Sequence, residues 1–149
     1  MSHDSTPDLS GFFIRQVTWQ DAELELRTVR EQVFMIEQGV PEALEWDGLD
    51  AECVHLLARD SEGCAIATAR LLPDCHLGRM AVLKSCRGRG LGSALLREML
   101  AIAGQRGCTC IVLNAQTYAI GFYERYGFQR VGDEFMDAGI PHQCMEREL

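Results

Sequence analysis

The apolar positions of this chain change period several times, and each change marks an element. The run from Phe12 to Thr18 is rich in aromatic and β-branched residues and predicts a strand. Beyond it, Leu26, Val29, Val33 and Ile36 recur three and four apart, which predicts one apolar face of a helix reaching about Glu37. Thr18 and Asp21 are its candidate caps. Gly39 to Asp50 loses the period and reads as a loop with a short helix. Cys53 to Ala58 and Cys64 to Leu72 are apolar runs around Asp60-Ser61-Glu62-Gly63, the pattern of a hairpin. Leu77 to Leu83 predicts a central strand, Gly90 to Gln105 a long helix, and Thr109 to Asn114 a buried strand. A short helix from Ala119 to Tyr126 stops at Gly127, and Phe128 to Asp133 and His142 to Glu148 complete the strands.

The segment between the central strand and the long helix carries the most chemistry. Arg87-Gly88-Arg89-Gly90-Leu91-Gly92-Ser93 places three glycines where a strand turns into a helix. Glycine lets the backbone turn tightly and keeps Cβ atoms out of the way of an approaching group. The first N–H groups of the helix have no partner inside it, and its dipole favours negative charge there. The arrangement predicts a phosphate cradle. No Gly-Lys-Ser or Gly-Lys-Thr follows, which excludes a nucleoside-triphosphate P-loop. The dinucleotide fingerprint is only approximated by Gly88-x-Gly90-x-Gly92, and Cys108 stands near the place of its acid.

A third pattern fits these residues. Arg87-x-x-Gly90-x-Gly92 resembles the pyrophosphate motif of the GNAT superfamily of N-acetyltransferases. Asn114-Ala115-Gln116, followed by the stretch from Ala119 to Phe128, resembles that family's later motif, with Phe-Tyr before Gly-Phe. The segments Val33 to Pro41, Ala69 to Leu72 and Ala138 to His142 resemble its small bacterial ElaA-like branch. The resemblance spans nearly all of the chain after the first ten residues. It implies an α/β (α+β) fold, with a mixed, partly split β-sheet of about seven strands flanked by helices in the order βα(α)βββαβαββ. It also implies acetyl-CoA as acyl donor and no metal. The cofactor-binding positions it implies are Met80, Ala81 and Val82 on the central strand, Arg87 to Ser93 in the loop, and Asn114, Phe122 and Tyr123. Within the loop these are Arg87, Gly88, Arg89, Gly90, Leu91, Gly92 and Ser93.

Composition sets limits on the rest. The 149 residues suit one domain, 11–149, preceded by a polar tail, 1–10, expected to be disordered. No apolar run approaches a membrane span, and no charged-then-apolar leader opens the chain. Seven cysteines without a C-x-x-C pair predict reduced thiols and a cytoplasmic setting. A net charge of −8 argues against nucleic acid as partner. His76 to Arg97 holds five basic residues and no acid, whereas Glu31 to Ala58 holds seven acids and no Lys or Arg. The first suits an anionic cofactor. The second is either a solvated surface or a face that steers a cationic amine.

Acetyl transfer to an amine needs a neutral nucleophile, a polarised carbonyl and a proton for the departing thiolate. Tyr123 matches the tyrosine that often supplies this proton in the family, with ring packing as its alternative role. For the base, Glu37, His55 and His142 are candidates beside a water chain, and the residues do not choose among them. Arg70 and Arg79 either bind a substrate carboxylate or balance nearby acids. Two functions follow: an N-acetyltransferase acting on a small-molecule or peptide amine, or a non-catalytic acyl-CoA-binding module. A homodimer is common among the proteins the chain resembles.

Overall fold

The computed structural model describes residues 11–149, so the expectation for Met1 to Ser10 lies outside the described residues. Strand β1 (Phe13–Val17) leads into α1 (Trp19–Arg30), which continues as a π-helix (Glu31–Glu37). Helix α2 (Glu42–Glu45) and a 3-10 turn (Asp50–Glu52) precede β2 (Val54–Arg59), β3 (Ala65–Leu71) and β4 (His76–Val82). Then come α3 (Leu91–Gln105), β5 (Cys110–Gln116), α4 (Ile120–Glu124), β6 (Gln129–Arg130), β7 (Phe135–Asp137) and β8 (Ile140–Glu148). The eight strands form one sheet in the order β1-β2-β3-β4-β5-β8-β6, with β7 also paired to β8. The sheet is mostly antiparallel and mixed, as expected. It has eight strands where about seven were predicted, because β7 and β8 form a tight hairpin of their own through Ala138 and Gly139, both at positive φ.

Alternation along β2 decides the layers. Leu56 and Ala58 face α3, where Leu95, Leu96 and Met99 complete the main core; Leu57 faces α1 and packs on Ala22 and Leu26. Thr18 caps α1, its Oγ1 accepting from the Asp21 N–H at 3.1 Å. One helix position departs from its predicted face: Ile36 is 70% exposed. From Glu31 the helix is π-type, with more residues per turn, so the three-and-four spacing loses its alignment; Val33 stays buried and Ile36 turns out.

Two features open the sheet. In β4, the register with β3 slips between Thr68↔Ala81 and Arg70↔Gly78, and Arg79 takes a left-handed φ of 49°. This is a β-bulge, which bends the strand. The parallel pairing of β4 with β5 is confined to His76↔Val112 and Leu77↔Leu113. Beyond Leu77 the strands part, and the β4 edge facing β5 is left without a strand partner.

The prediction of reduced thiols throughout is corrected by one pair. Cys75 and Cys108 form a disulfide, with Cα atoms 6.1 Å apart. They are 33 residues apart in the chain and meet because β4 and β5 are paired beside them. The other five cysteines are free.

Candidate active site

The parting of β4 from β5 creates a cavity of about 760 Å³, within the range that holds a cofactor-sized ligand. Met80, Ala81 and Val82 line it from β4, Asn114 and Gln116 from β5, and Phe122 and Tyr123 from α4. The loop before α3 closes one end. Gly88 and Gly90 have φ of 78° and 79°, a left-handed conformation that favours glycine. Gly90 is the N-cap of α3 and offers no side chain to its first N–H groups, and the first turn carries no acid. The amides of Leu91, Gly92 and Ser93 thus stand at the cavity wall as unpaired donors on the positive end of a 15-residue helix. Together with the free edge of β4, this end suits a phosphate-bearing acyl carrier.

The arginines of the loop are otherwise engaged. Arg87 donates both terminal nitrogens to the Glu37 carboxylate, at 2.6 and 2.7 Å, and its Nε to the Val82 carbonyl at 2.9 Å. Arg89 lies over the Phe12 ring, 4.1 Å from its centroid, away from the cavity wall. Glu37 is consequently a weak proton acceptor: the Arg87 guanidinium holds its carboxyl below the usual range. The neighbouring Gln38 exchanges amide hydrogen bonds with Gln116, at 2.8 and 3.3 Å. Successive residues at the end of the π-helix thus tie to the loop after β4 and to the end of β5. Nothing in the spacing of Gln38 and Gln116 signalled this pair.

Tyr123 points its hydroxyl at the Met80 sulfur, 3.8 Å away on β4. Burial pushes its phenol above the ordinary tyrosine value, with Tyr118 adding in the same direction, so the group keeps its proton at any ordinary pH. Tyr126 instead accepts from Arg97 at 3.3 Å. The rings of Phe122, Tyr123 and Phe128 pack edge to face along this side.

Glu45, Arg70 and Arg79 also line the cavity, and they belong to a network of ion pairs that extends behind it. Arg30, 1% exposed, donates to Glu45 at 2.8 Å and to Asp50 at 2.6 Å. Arg70 bonds Asp50 at 2.9 Å and Asp47 at 3.0 Å; Arg79 lies 3.1 Å from Glu45 and 3.3 Å from Asp47. Burial works to raise both Asp47 and Asp50, but the guanidiniums outweigh it and hold both below the usual carboxylate range. For Glu45 burial prevails and the carboxyl is raised. Of the two roles open to Arg70 and Arg79, the contacts show the balancing of acids. The sequence signal for Arg30 was its position: it falls on the apolar stripe of α1, four residues after Leu26, where a charge needs a partner.

The two buried histidines differ. His55 is 1% exposed, outside the cavity, with Nε2 2.8 Å from the Asp50 carbonyl and its ring against Trp19; burial lowers its pKa. His142 lines the cavity, with Nδ1 2.7 Å from the Ile140 carbonyl and its ring stacked on Phe135. Asp50, Cys53 and His55 come within 4.8 Å of one another, but Arg30 and Arg70 already hold Asp50, and burial raises the Cys53 thiol. That set suits a cation poorly. No helix among the described residues is long and apolar enough to cross a membrane.

Comparison with known proteins agrees with this geometry. Residues 18–149 match the model of the acetyltransferase (GNAT) domain. The Bacillus subtilis protein named "Uncharacterized N-acetyltransferase YjcF" is 38% identical over 123 residues, which cover 80% of this chain and 88% of that one. An acyl-CoA N-acyltransferase from Pseudomonas aeruginosa superposes with a TM-score of 0.80 at 31% identity, covering 91% of this chain and 97% of that one. Escherichia coli ElaA superposes with a TM-score of 0.82 at 26% identity, covering 91% and 99%. A split sheet with a glycine-capped helix at its opening, and a family match over nearly the whole described chain, place this protein in the GNAT family of acetyltransferases.

Proposed function

We propose that the protein moves an acetyl group from acetyl-CoA to a primary amine by direct attack on the thioester. The observation that carries this is the single cavity shared by the α3 N-terminus, the unpaired edge of β4 and the Tyr123 hydroxyl. Acetyl-CoA supplies the activated acyl carbon and a thiolate leaving group. The chain's own groups supply the rest. Amides of Leu91, Gly92 and Ser93 receive the pyrophosphate, and β4 backbone groups from Met80 to Val82 hold the pantetheine arm. Tyr123, kept protonated by burial, gives its proton to the departing sulfur. Asp74, beside His76 at 3.0 Å, and Asp137 are further carboxylates of the cavity wall, and neither pairs with an arginine among the described residues, which favours an amine arriving as an ammonium ion.

Calorimetry with acetyl-CoA, paired with release of free CoA across a panel of amines, tests the reading. Binding without amine-dependent release would return the protein to a non-catalytic acyl-CoA module. Tyr123→Phe keeps the ring packing and removes the donor, so acetyl-CoA affinity should hold within a few-fold while kcat falls roughly 10²–10⁴-fold. Because burial holds the phenol above its ordinary value of about 10, Tyr123 should add no alkaline limb to the kcat profile below that pH. Near-parental kcat in Tyr123→Phe, where chemistry limits turnover, would remove the tyrosine from the mechanism.

A further inference from the structure

The reaction needs a base to make the amine neutral, and the three side chains that could serve are held very differently. Glu37 is committed to Arg87 by two short hydrogen bonds. His55 is sealed beneath α1 with its Nε2 on the Asp50 carbonyl. His142 is on the cavity wall. A carbonyl oxygen can only accept, so the 2.7 Å contact from Nδ1 to the Ile140 oxygen requires the proton to sit on Nδ1. In the neutral ring this leaves Nε2 as a bare lone pair. Nε2 has no protein hydrogen-bond partner among the described residues, and it is not one of the buried, unpartnered atoms. It is therefore reachable from solvent, on a residue that lines the cavity.

The mounting is rigid. His142 is flanked in the sheet by Gln116 of β5 and Phe135 of β7, both uncharged, and the Phe135 ring stacks on it at 5.8 Å between centroids. Asp137 at the end of β7 and Ala138 in the turn that follows continue the same wall. Asp137 adds a carboxylate where an ammonium ion would enter.

We propose that His142 is the general base of this site, accepting the acceptor's proton on Nε2. This rests on the acetyltransferase reading above. The ammonium gives one proton to Nε2, and the freed nitrogen lone pair forms the new bond to the acyl carbon. The carbon–sulfur bond breaks, and the sulfur leaves with the bonding pair and takes the Tyr123 proton. The nitrogen sheds its second proton to water, Tyr123 is reprotonated from solvent, and His142 releases its proton. The sum is an amide, a free thiol and one proton in solution.

Two measurements test this. The first needs no acceptor: long-range ¹H–¹⁵N correlation on histidine-labelled protein, with the His142 signals assigned by their loss in His142→Gln. At a pH where the ring is neutral, His142 should carry its proton on Nδ1, opposite to His55. A ring protonated on Nε2 overturns the proposal. The second uses ethylamine and 2,2,2-trifluoroethylamine, near neighbours in size, the first an ammonium ion at neutral pH and the second a free amine. His142→Gln should lower kcat/KM for ethylamine by roughly 10²–10⁴-fold, the span of a general base, and leave trifluoroethylamine within about tenfold of the parent. Acetyl-CoA affinity should change by no more than a few-fold. Equal losses on both amines would make His142 structural, and no loss on either would exclude it, with acetyl transfer standing in each case. A parent protein that binds acetyl-CoA but releases CoA with neither amine would overturn the transfer reading and the base with it.

Discussion

Two parts of the cavity wall are made in opposite ways. At the α3 end the polar groups on the wall are backbone amides, presented where Gly88 and Gly90 take left-handed φ ahead of the helix. Elsewhere the wall includes charged side chains, Glu45 from α2, Arg70 from β3 and Arg79 from the β4 bulge, held from behind by Arg30 from α1 and by Asp47 and Asp50. The first part depends on local chain geometry and costs little to build. The second places several charges out of water, and each is tolerated only while its partners are in place. The comparison teaches that one part can be altered without disturbing the fold, whereas the other cannot.

The sharpest way to break that comparison is to block the α3 end. Gly92 has ordinary helical geometry, and a Cβ there would meet only the Phe122 ring, at 3.9 Å. Gly92→Leu should therefore fold, yet fill the space in front of the first-turn amides. Losing two charge-assisted contacts of about 1.5–3 kcal/mol each would weaken CoA binding roughly 10²–10⁴-fold. Calorimetry beside a melting curve checks both halves. A Gly92→Leu protein that melts like the parent and binds CoA equally well would detach the loop from the cofactor.

Removing Arg70 is the matching test of the charged part. It would leave Asp47 and Asp50 without a principal partner, Asp50 being 5% exposed. Arg70→Ala should lose about 3–5 kcal/mol of stability, read by denaturant unfolding. Any fraction that stays folded should bind CoA nearly as the parent does.

Acid titration gives a milder probe of the same wall. Asp47 and Asp50 are held below their unfolded values, so the folded state binds fewer protons at these sites. Their contribution is complete above roughly pH 4 and is lost as pH falls through that value towards their folded pKa. Glu45 is raised and contributes in the opposite sense, relieving strain as it protonates. With two sites against one, Tm should fall below about pH 4, and Asp47→Asn should show a lower Tm at neutral pH with a shallower acid decline. Parallel acid slopes in the two proteins would take Asp47 out of the balance.

The smallest effect belongs to the pair that links the two sides. Glu37 and Arg87 are partly exposed, with 33% and 41% of their side chains accessible, so their ion pair is screened and worth about 0.2–1 kcal/mol at most. Glu37→Gln frees Arg87 for a phosphate, and CoA affinity should rise by no more than about fivefold, less with added salt. A tenfold loss of CoA affinity instead would mean that the pair holds the loop in its binding shape.

Much of the architecture was legible because it is written in local patterns. The period of Leu26, Val29 and Val33 located α1, and the glycine spacing from Gly88 to Gly92 located the α3 cap. Apolar runs located every strand but β7. The limits were physical. Ile36 left its expected face because a π-helix shifts the angle per residue. Cys75 and Cys108 carry no local signature of a bond that depends on two strands lying side by side. The apparent segregation of charge, acids before Ala58 and bases after His76, did not survive folding: Arg79 went to Glu45 and Arg87 to Glu37.

By itself, the sequence determined the kind of elements, their order, the glycine loop that caps α3 and the family motifs, since each rests on neighbours along the chain. Only the tertiary structure decided which of Glu37, His55 and His142 keeps a free lone pair on the cavity. Proton acceptance depends on what already occupies a group's hydrogen bonds, and those partners are an arginine fifty residues from Glu37, the Asp50 carbonyl for His55 and the Ile140 carbonyl at the start of β8 for His142. Residue type sets what a side chain can do; the contacts made on folding set which of these it is still free to do.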